Sequence, residues 1–180
     1  FNATWPTKDS IALLTKPSFG AEGFLYFLNS KTGSLIKVLD NVNGLTTVVS
    51  PEGDKIVFSG VGRDGMESRI YNAKNNTFSD LGFLTLADKC VWGKKNKLPA
   101  GRMIYCAVPL GAIGSREPDD WYKGKESFSD ELWSKNISTG ENKIILDSFG
   151  ADIINISANA DDWYLIFINK NDGTLWSLKL

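Results

Sequence analysis

"VSPEGDKIVFSG", residues 49–60, joins a short apolar lead to a dense apolar run through a turn of Pro, Glu, Gly and Asp. The run "KIVF" lacks polar alternation, the pattern of a strand covered on both faces. Comparable segments stand at 4–15 (TWPTKDSIALLT), 91–107 (VWGKKNKLPAGRMIYCA) and 156–168 (ISANADDWYLIFI). With Pro6, Pro51, Gly93 and Ala158 taken as equivalent, the intervals are 45, 42 and 65 residues. A second landmark agrees: NSKTG (29–33), NAKNN (72–76) and NISTG (136–140) are 43 and 64 residues apart. The chain is a repeat.

Each unit reads as four short strands joined by tight turns. In the first unit these fall at about 3–6, 10–15, 23–29 and 34–39. Thr-Gly and Asn-Asn pairs after the third strand supply the positive-φ residues that sharp reversals need. Helical periodicity is not sustained anywhere. Four-stranded units of 40–45 residues, each sheet sandwiched between neighbours, describe an all-β protein of β-propeller type. The expected blades are 1–44, 45–84, 85–149 and 150–180. The last ends on "TLWSLKL", its third strand, and so lacks an outer strand. Only three residues precede the first inner strand, too few to supply it. The expectation is the C-terminal part of a larger propeller of six to eight blades; a self-contained four-bladed ring is the alternative.

The pattern "SPEGDKIVF", followed by a third strand such as "ELWSKNISTG" or "TLWSLKL", resembles the TolB-like/WD40-like (PD40) propeller repeats of bacterial proteins. Residues 49–60 match most closely, and Trp5-Pro6 fits the first-strand position. Gly93 and Ala158 depart, standing where Pro is typical. The resemblance implies a fold and an envelope setting, outside the cytoplasm. It implies no activity, because such repeats serve protein docking and peptidase accessory domains alike.

The 180 residues are 42% apolar and 23% charged, with a formal net charge of −1. That balance offers no footprint for nucleic acid. The longest apolar run, IYCAVPL (104–110), is far short of a bilayer span, so no membrane insertion is expected within the chain. Histidine is absent, which removes Ser-His-Asp and Cys-His nucleophile activation and HExxH zinc sites. No G-x-S-x-G elbow occurs. GVGRDG (60–65) is a literal G-x-G-x-x-G, but the downstream segment ESRIYNAKNNT reads as strand and turn rather than the helix that pyrophosphate binding requires. No cofactor and no metal are expected: Asp119-Asp120 lacks EF-hand spacing, and Asp161-Asp162 reads as an ordinary acidic turn.

The extra length of the third unit falls between its second and third strands, at 109–129. A loop this long is functional, packed as a cap, or mobile. Pro109, Gly111, Gly114, Pro118 and Gly124 argue against regular structure within it, and Trp121 and Tyr122 argue against disorder. Two readings coexist. In one, Trp121, Tyr122 and Phe128 fold the loop down over the central channel. In the other, the loop recognises a partner. The same face carries the connections at 15–23, 59–68 and 168–172, so Arg63, Asp64, Arg116, Glu117, Asp119, Asp120, Trp121 and Tyr122 are the candidate binding residues. Mixed charge with aromatics suits selective polar binding.

Cys90 and Cys106 sit symmetrically about the third unit's inner hairpin. They are either a disulfide, worth about 3 kcal/mol in the chain-entropy model, or two buried thiols. The burial preference of free Cys tilts toward thiols. The four N-x-[ST] sequons, at Asn2, Asn75, Asn136 and Asn155, carry no inference. The expected function is a non-catalytic binding or scaffolding propeller whose partner, a protein or peptide or else a glycan, docks on the face bearing 109–129. The rivals are an accessory propeller of a peptidase or other hydrolase, and a propeller enzyme working through carboxylates around its channel.

Overall fold

A computed structural model describes residues 1–63, 65–97 and 101–180. It is built of antiparallel sheets and divides into two compact units: residues 1–87 with 113–126, and residues 88–112 with 127–180.

The first unit holds a seven-stranded sheet in sequential order. Its strands are β1 (Asn2–Thr7), β2 (Ser10–Leu14), β3 (Glu22–Asn29), β4 (Leu35–Val49), β5 (Lys55–Gly62), β6 (Gly65–Asn72) and β7 (Thr77–Asp80). The fourth strand of the first repeat was expected to stop near residue 39. Instead β4 runs on for 15 residues, pairing with β3 from Leu35 to Asn43 and with β5 from Asn43 to Val49. Its ladder changes partner at Asn43, between Asn41 and Gly44, which both take positive φ. No proline or long polar turn separates the repeats there, so the chain bends without breaking the strand.

The hairpins follow their turn chemistry. Gly33 and Gly140 take φ of +73° and +77°, and Asn76 takes +56°. Asn29 Oδ1 accepts the N–H groups of Lys31 and Thr32, and Asn136 Oδ1 those of Ser138 and Thr139. An Asx turn holds each reversal. Residues 60–62 of GVGRDG lie in β5 and Gly65 opens β6, the two strands pairing at Gly62–Gly65, and no helix begins among its described residues.

In the second unit a four-stranded sheet comprises β8 (Cys90–Lys97), β9 (Gly101–Pro109), β10 (Asp130–Asn136) and β11 (Asn142–Leu146). A three-stranded sheet completes it: β12 (Ile153–Ala158), β13 (Tyr164–Asn169) and β14 (Leu175–Lys179). Tyr105, Ala107 and Leu132 pack against Ile153, Leu165 and Phe167 as the shared core. Cys90 lies directly opposite Cys106 in the β8–β9 ladder, and the two are disulfide-bonded with Cα atoms 4.1 Å apart. This corrects the leaning toward buried thiols: cross-strand register brings the sulfurs together.

The sealing of second strands holds for β5 and β9, where Ile56, Val57, Phe58, Ile104, Tyr105, Cys106 and Ala107 are all buried. It fails for β2 and β13. Ala12 and Leu14 are buried while Ile11 and Leu13 are half-exposed; Leu165 and Phe167 are buried while Tyr164 and Ile166 are 41% and 39% exposed. An all-apolar run therefore marks a strand suited to two covers, and these two have one each within their own units.

Asp162 stands in the β12–β13 turn, where an acidic turn was expected, at φ +53°. It is also buried: its Oδ1 accepts the Lys94 N–H at 2.7 Å, beside Gly93, where an added Cβ would stand 3.1 Å from Oδ2. Burial first, and then this carboxylate, push the Tyr105 hydroxyl up to about 12.

Candidate functional site: the 113–126 strap

β9 ends at Pro109 and β10 starts at Asp130, so the insertion occupies the connection where it was expected. Its base continues the ladder by one bond, Leu110 N–H to Ser129 O at 2.8 Å. Residues 113–126 then pack within the first unit as a strap carrying one helical turn, Asp119–Tyr122.

The turn is held from inside. Tyr122 N–H donates to Pro118 O, Lys123 N–H to Asp119 O and Gly124 N–H to Trp121 O, at 2.9–3.1 Å. Gly124 closes it with φ +69°, and the Lys125 and Glu126 N–H groups return to Asp120 O. Beneath the turn, the Trp121 N–H donates to Glu117 Oε2 at 2.9 Å. Trp121 is 5% exposed and Glu117 1%. An indole beside an otherwise polar turn supplies the apolar burial that keeps the strap down.

Two positions of the sheet unit receive the strap. The Phe19 N–H donates to Asp119 Oδ2 at 2.7 Å. Gly44 lets the strap backbone approach: an added Cβ would lie 2.9 Å from Glu117 O and 3.1 Å from Pro118 Cδ. Burial opposes ionisation of Asp119, but bonds from the Phe19 N–H, Lys123 and Ser18 outweigh it and hold the carboxyl below its ordinary value.

Above this base lie the cations. Arg116 stands 3.4 Å from Asp120 and 5.1 Å from the Phe19 ring centroid; Lys123 lies 3.0 Å from Asp119 and Lys125 3.7 Å from Asp120. The side chains of Asp119 and Asp120 are largely covered, while those of Arg116, Lys123 and Lys125 are more than half exposed. Tyr122, with its ring 5.5 Å from Trp121, is 43% exposed. Solvent meets a cationic, aromatic surface with its counter-charges underneath.

The structure thus separates the candidate residues. Glu117 and Trp121 are interior supports, Asp119 and Asp120 are anchors, and Arg116 and Tyr122 face outward. Arg63 is exposed at the β5–β6 hairpin tip, and Asp64 lies outside the described residues. Phe128 does not join the strap: its ring centroid is 5.2 Å from Lys89 Nζ in the second unit. Sequence reasoning passed over Phe19 and Gly44. The Asn43-Gly44 dipeptide was their available signal, a turn pair inside an apolar stretch.

A polar node in the second unit also went unforeseen. Lys89 Nζ lies 2.8 Å from Asp130 Oδ2 and 2.6 Å from Asp152 Oδ1, with all three side chains fully buried. Asp130 Oδ2 also accepts the Ile153 N–H at 2.6 Å, and Lys170 approaches Asp152 at 3.7 Å. The node ties β10 to the chain entering β12.

No protein-family model and no curated protein sequence matches the chain. Among solved structures, a putative TolB from Agrobacterium tumefaciens is similar over 98% of this chain and 57% of its own, at 14% identity and a TM-score of 0.63. TolB from Acinetobacter baumannii is similar over 99% and 43%, at 13% identity and 0.60. The tricorn protease is similar over 92% and 14%, at 11% identity and 0.60. The chain therefore spans less than two thirds of each of these proteins. At such identities the likeness shows fold alone, and the fold is that of a β-propeller.

Proposed function

We propose that this chain is a non-catalytic binding module whose partner, a protein or peptide, docks on the outward surface of the strap. The observation carrying this reading is the division of labour within 113–126. Buried Trp121 and Glu117, with the largely covered Asp119, fix the backbone, leaving Arg116, Tyr122, Lys123 and Lys125 displayed on a rigid base. A preformed surface loses little conformational entropy on binding. The two adjacent carboxylates Asp119 and Asp120 are bound to cations and, for Asp119, to the Phe19 backbone. An extracytoplasmic setting is supported by the Cys90–Cys106 disulfide, since such bonds persist in oxidising compartments. Among the described residues, no helix is long and apolar enough to cross a membrane.

The test is capture of partners from envelope extract by the immobilised chain and by an Arg116→Glu/Tyr122→Ser double variant. Loss of a partner from the variant, with unchanged thermal melting, is expected. Identical captured sets would sink the strap reading, and a glycan array run in parallel separates the carbohydrate alternative. A second reading, an accessory propeller of a hydrolase, is favoured by the likeness to the tricorn protease. It requires a hydrolase domain in the same polypeptide, which the length of the natural protein reveals.

A further inference from the structure

Strand β7 is an edge. It pairs with β6 and with no other strand among the described residues, and all four of its residues are exposed. The Leu81 N–H donates to Ser68 O at 3.3 Å, which makes 68/81 a hydrogen-bonded pair in the β6–β7 ladder. Antiparallel ladders alternate, so Thr77 and Ser79 turn their main-chain groups toward β6. Phe78 and Asp80 turn theirs outward. Gly82, at φ +86° with its N–H on Asp80 Oδ1 at 2.9 Å, redirects the chain past the strand.

The bend leaves a groove of about 590 Å³ whose lining includes Met66, Glu67, Arg69, Phe78, Asp80 and Leu84. Phe78 is 48% exposed and Leu84 37%. The Arg69 guanidinium lies over the Phe78 ring at 4.9 Å, 4.0 Å from Glu67. The groove thus offers an apolar floor and two carboxylates against one cation. Thr77–Asp80 holds neither Pro nor Lys, two of the usual guards of an open strand; its short length and the charge of Asp80 are the guards it does carry, and the latter favours a basic strand over an acidic one.

We propose that this groove binds an extended peptide that adds an antiparallel strand to β7. The peptide's main chain bonds Phe78 and Asp80, an apolar side chain rests on the Phe78 ring, and a Lys or Arg two residues away meets Asp80. Main-chain pairing supplies affinity and the alternate side chains supply selectivity, as in strand addition generally. The excess of carboxylates selects a basic peptide over an acidic one.

The test uses the whole 180-residue chain and fluorescein-labelled hexapeptides read by anisotropy. The Val/Lys hexapeptide, Thr-Val-Thr-Lys-Thr-Val, carries its apolar and basic residues two apart on one face and should bind at least tenfold more tightly than its Val/Glu counterpart, in which Glu replaces Lys. N-methylation of alternate amides, in the frame that faces β7, should weaken binding tenfold or more, while the other frame leaves it intact. Asp80→Asn should reduce Val/Lys binding several-fold and should not weaken the Val/Glu peptide, whose repulsion by the carboxylate it removes. Absence of Val/Lys binding at millimolar concentration overturns the proposal. So does binding indifferent to both N-methylation frames, which requires no altered protein and so is independent of any folding defect.

Discussion

Lys89, Asp130 and Asp152 meet in full burial, and their cost and their benefit arise from the same desolvation. An ion taken from water loses several kcal/mol of hydration, which good geometry and further hydrogen bonds offset. Burial pushes the Asp130 carboxyl up; Lys89 and the Ile153 N–H pull against it, and Asp152 adds to the rise. Lys89→Met would leave two carboxylates facing each other without their ammonium. A loss of about 3–5 kcal/mol in urea unfolding is expected, with much of it recovered when Asp130 and Asp152 are replaced by Asn in the same chain. Asp54 behaves oppositely. Burial resists its ionisation, but bonds from Lys74, Lys55 and Ser50 prevail and bring the carboxyl to about 2. A depressed carboxyl stabilises the fold above its unfolded value, near 3.8, and the contribution fades as pH falls toward 2. Because Lys74 is well exposed, the contribution is discounted to about 1 kcal/mol. Asp54→Asn should flatten the acid limb of a stability–pH profile between pH 4 and 2, leaving the slope above pH 5 unchanged.

At the scale of elements, hairpins and strap differ in how much of their geometry is local. Asn29, Gly33, Asn136 and Gly140 specify their turns through neighbours a few residues away, so the turn chemistry was legible in the sequence. The limits of the insertion were legible too, because its Gly and Pro residues interrupt any strand pattern. Its resting place was not. Phe19 and Gly44 meet Asp119 and Glu117 across separations of 100 and 73 residues, and no periodicity encodes a contact of that span. Gly44→Ala tests it. The new methyl would collide with Glu117 O at a backbone conformation, φ +65°, that already disfavours a side chain. A loss of about 1–2 kcal/mol is expected. Trypsin cleavage after Lys123 and Lys125 should accelerate at least several-fold, well before global unfolding. Equal cleavage rates would show that the strap does not depend on that close approach.

For the whole molecule, the repeat interval announced the fold class, because a unit of about 43 residues leaves room for four strands and little else. The interval could not say whether every sheet has two neighbours. In the first unit Ile11 and Leu13 remain half-exposed, and in the second Tyr164, Ile166, Leu175 and Trp176 face solvent. Full burial of such a side chain is worth about 1.5–3 kcal/mol, and each of these forgoes the part that its exposed area represents. Such faces suit further blades of the same kind, the larger propeller expected from the repeats. Sedimentation of the 180-residue chain should therefore show concentration-dependent association and dye binding, both reduced by Tyr164→Thr with Ile166→Thr. A well-behaved monomer indifferent to those substitutions would remove the case for missing neighbours.

The single long strand β4 carries a further consequence. Because one strand carries the β3 ladder up to Asn43 and the β5 ladder from Asn43 onward, opening at that shared residue disturbs both ladders at once. Hydrogen exchange should find the β3–β4 and β4–β5 ladders opening with one shared free energy, so that neither hairpin survives as a remnant of the other; two distinct opening free energies would show that the strand does not couple them.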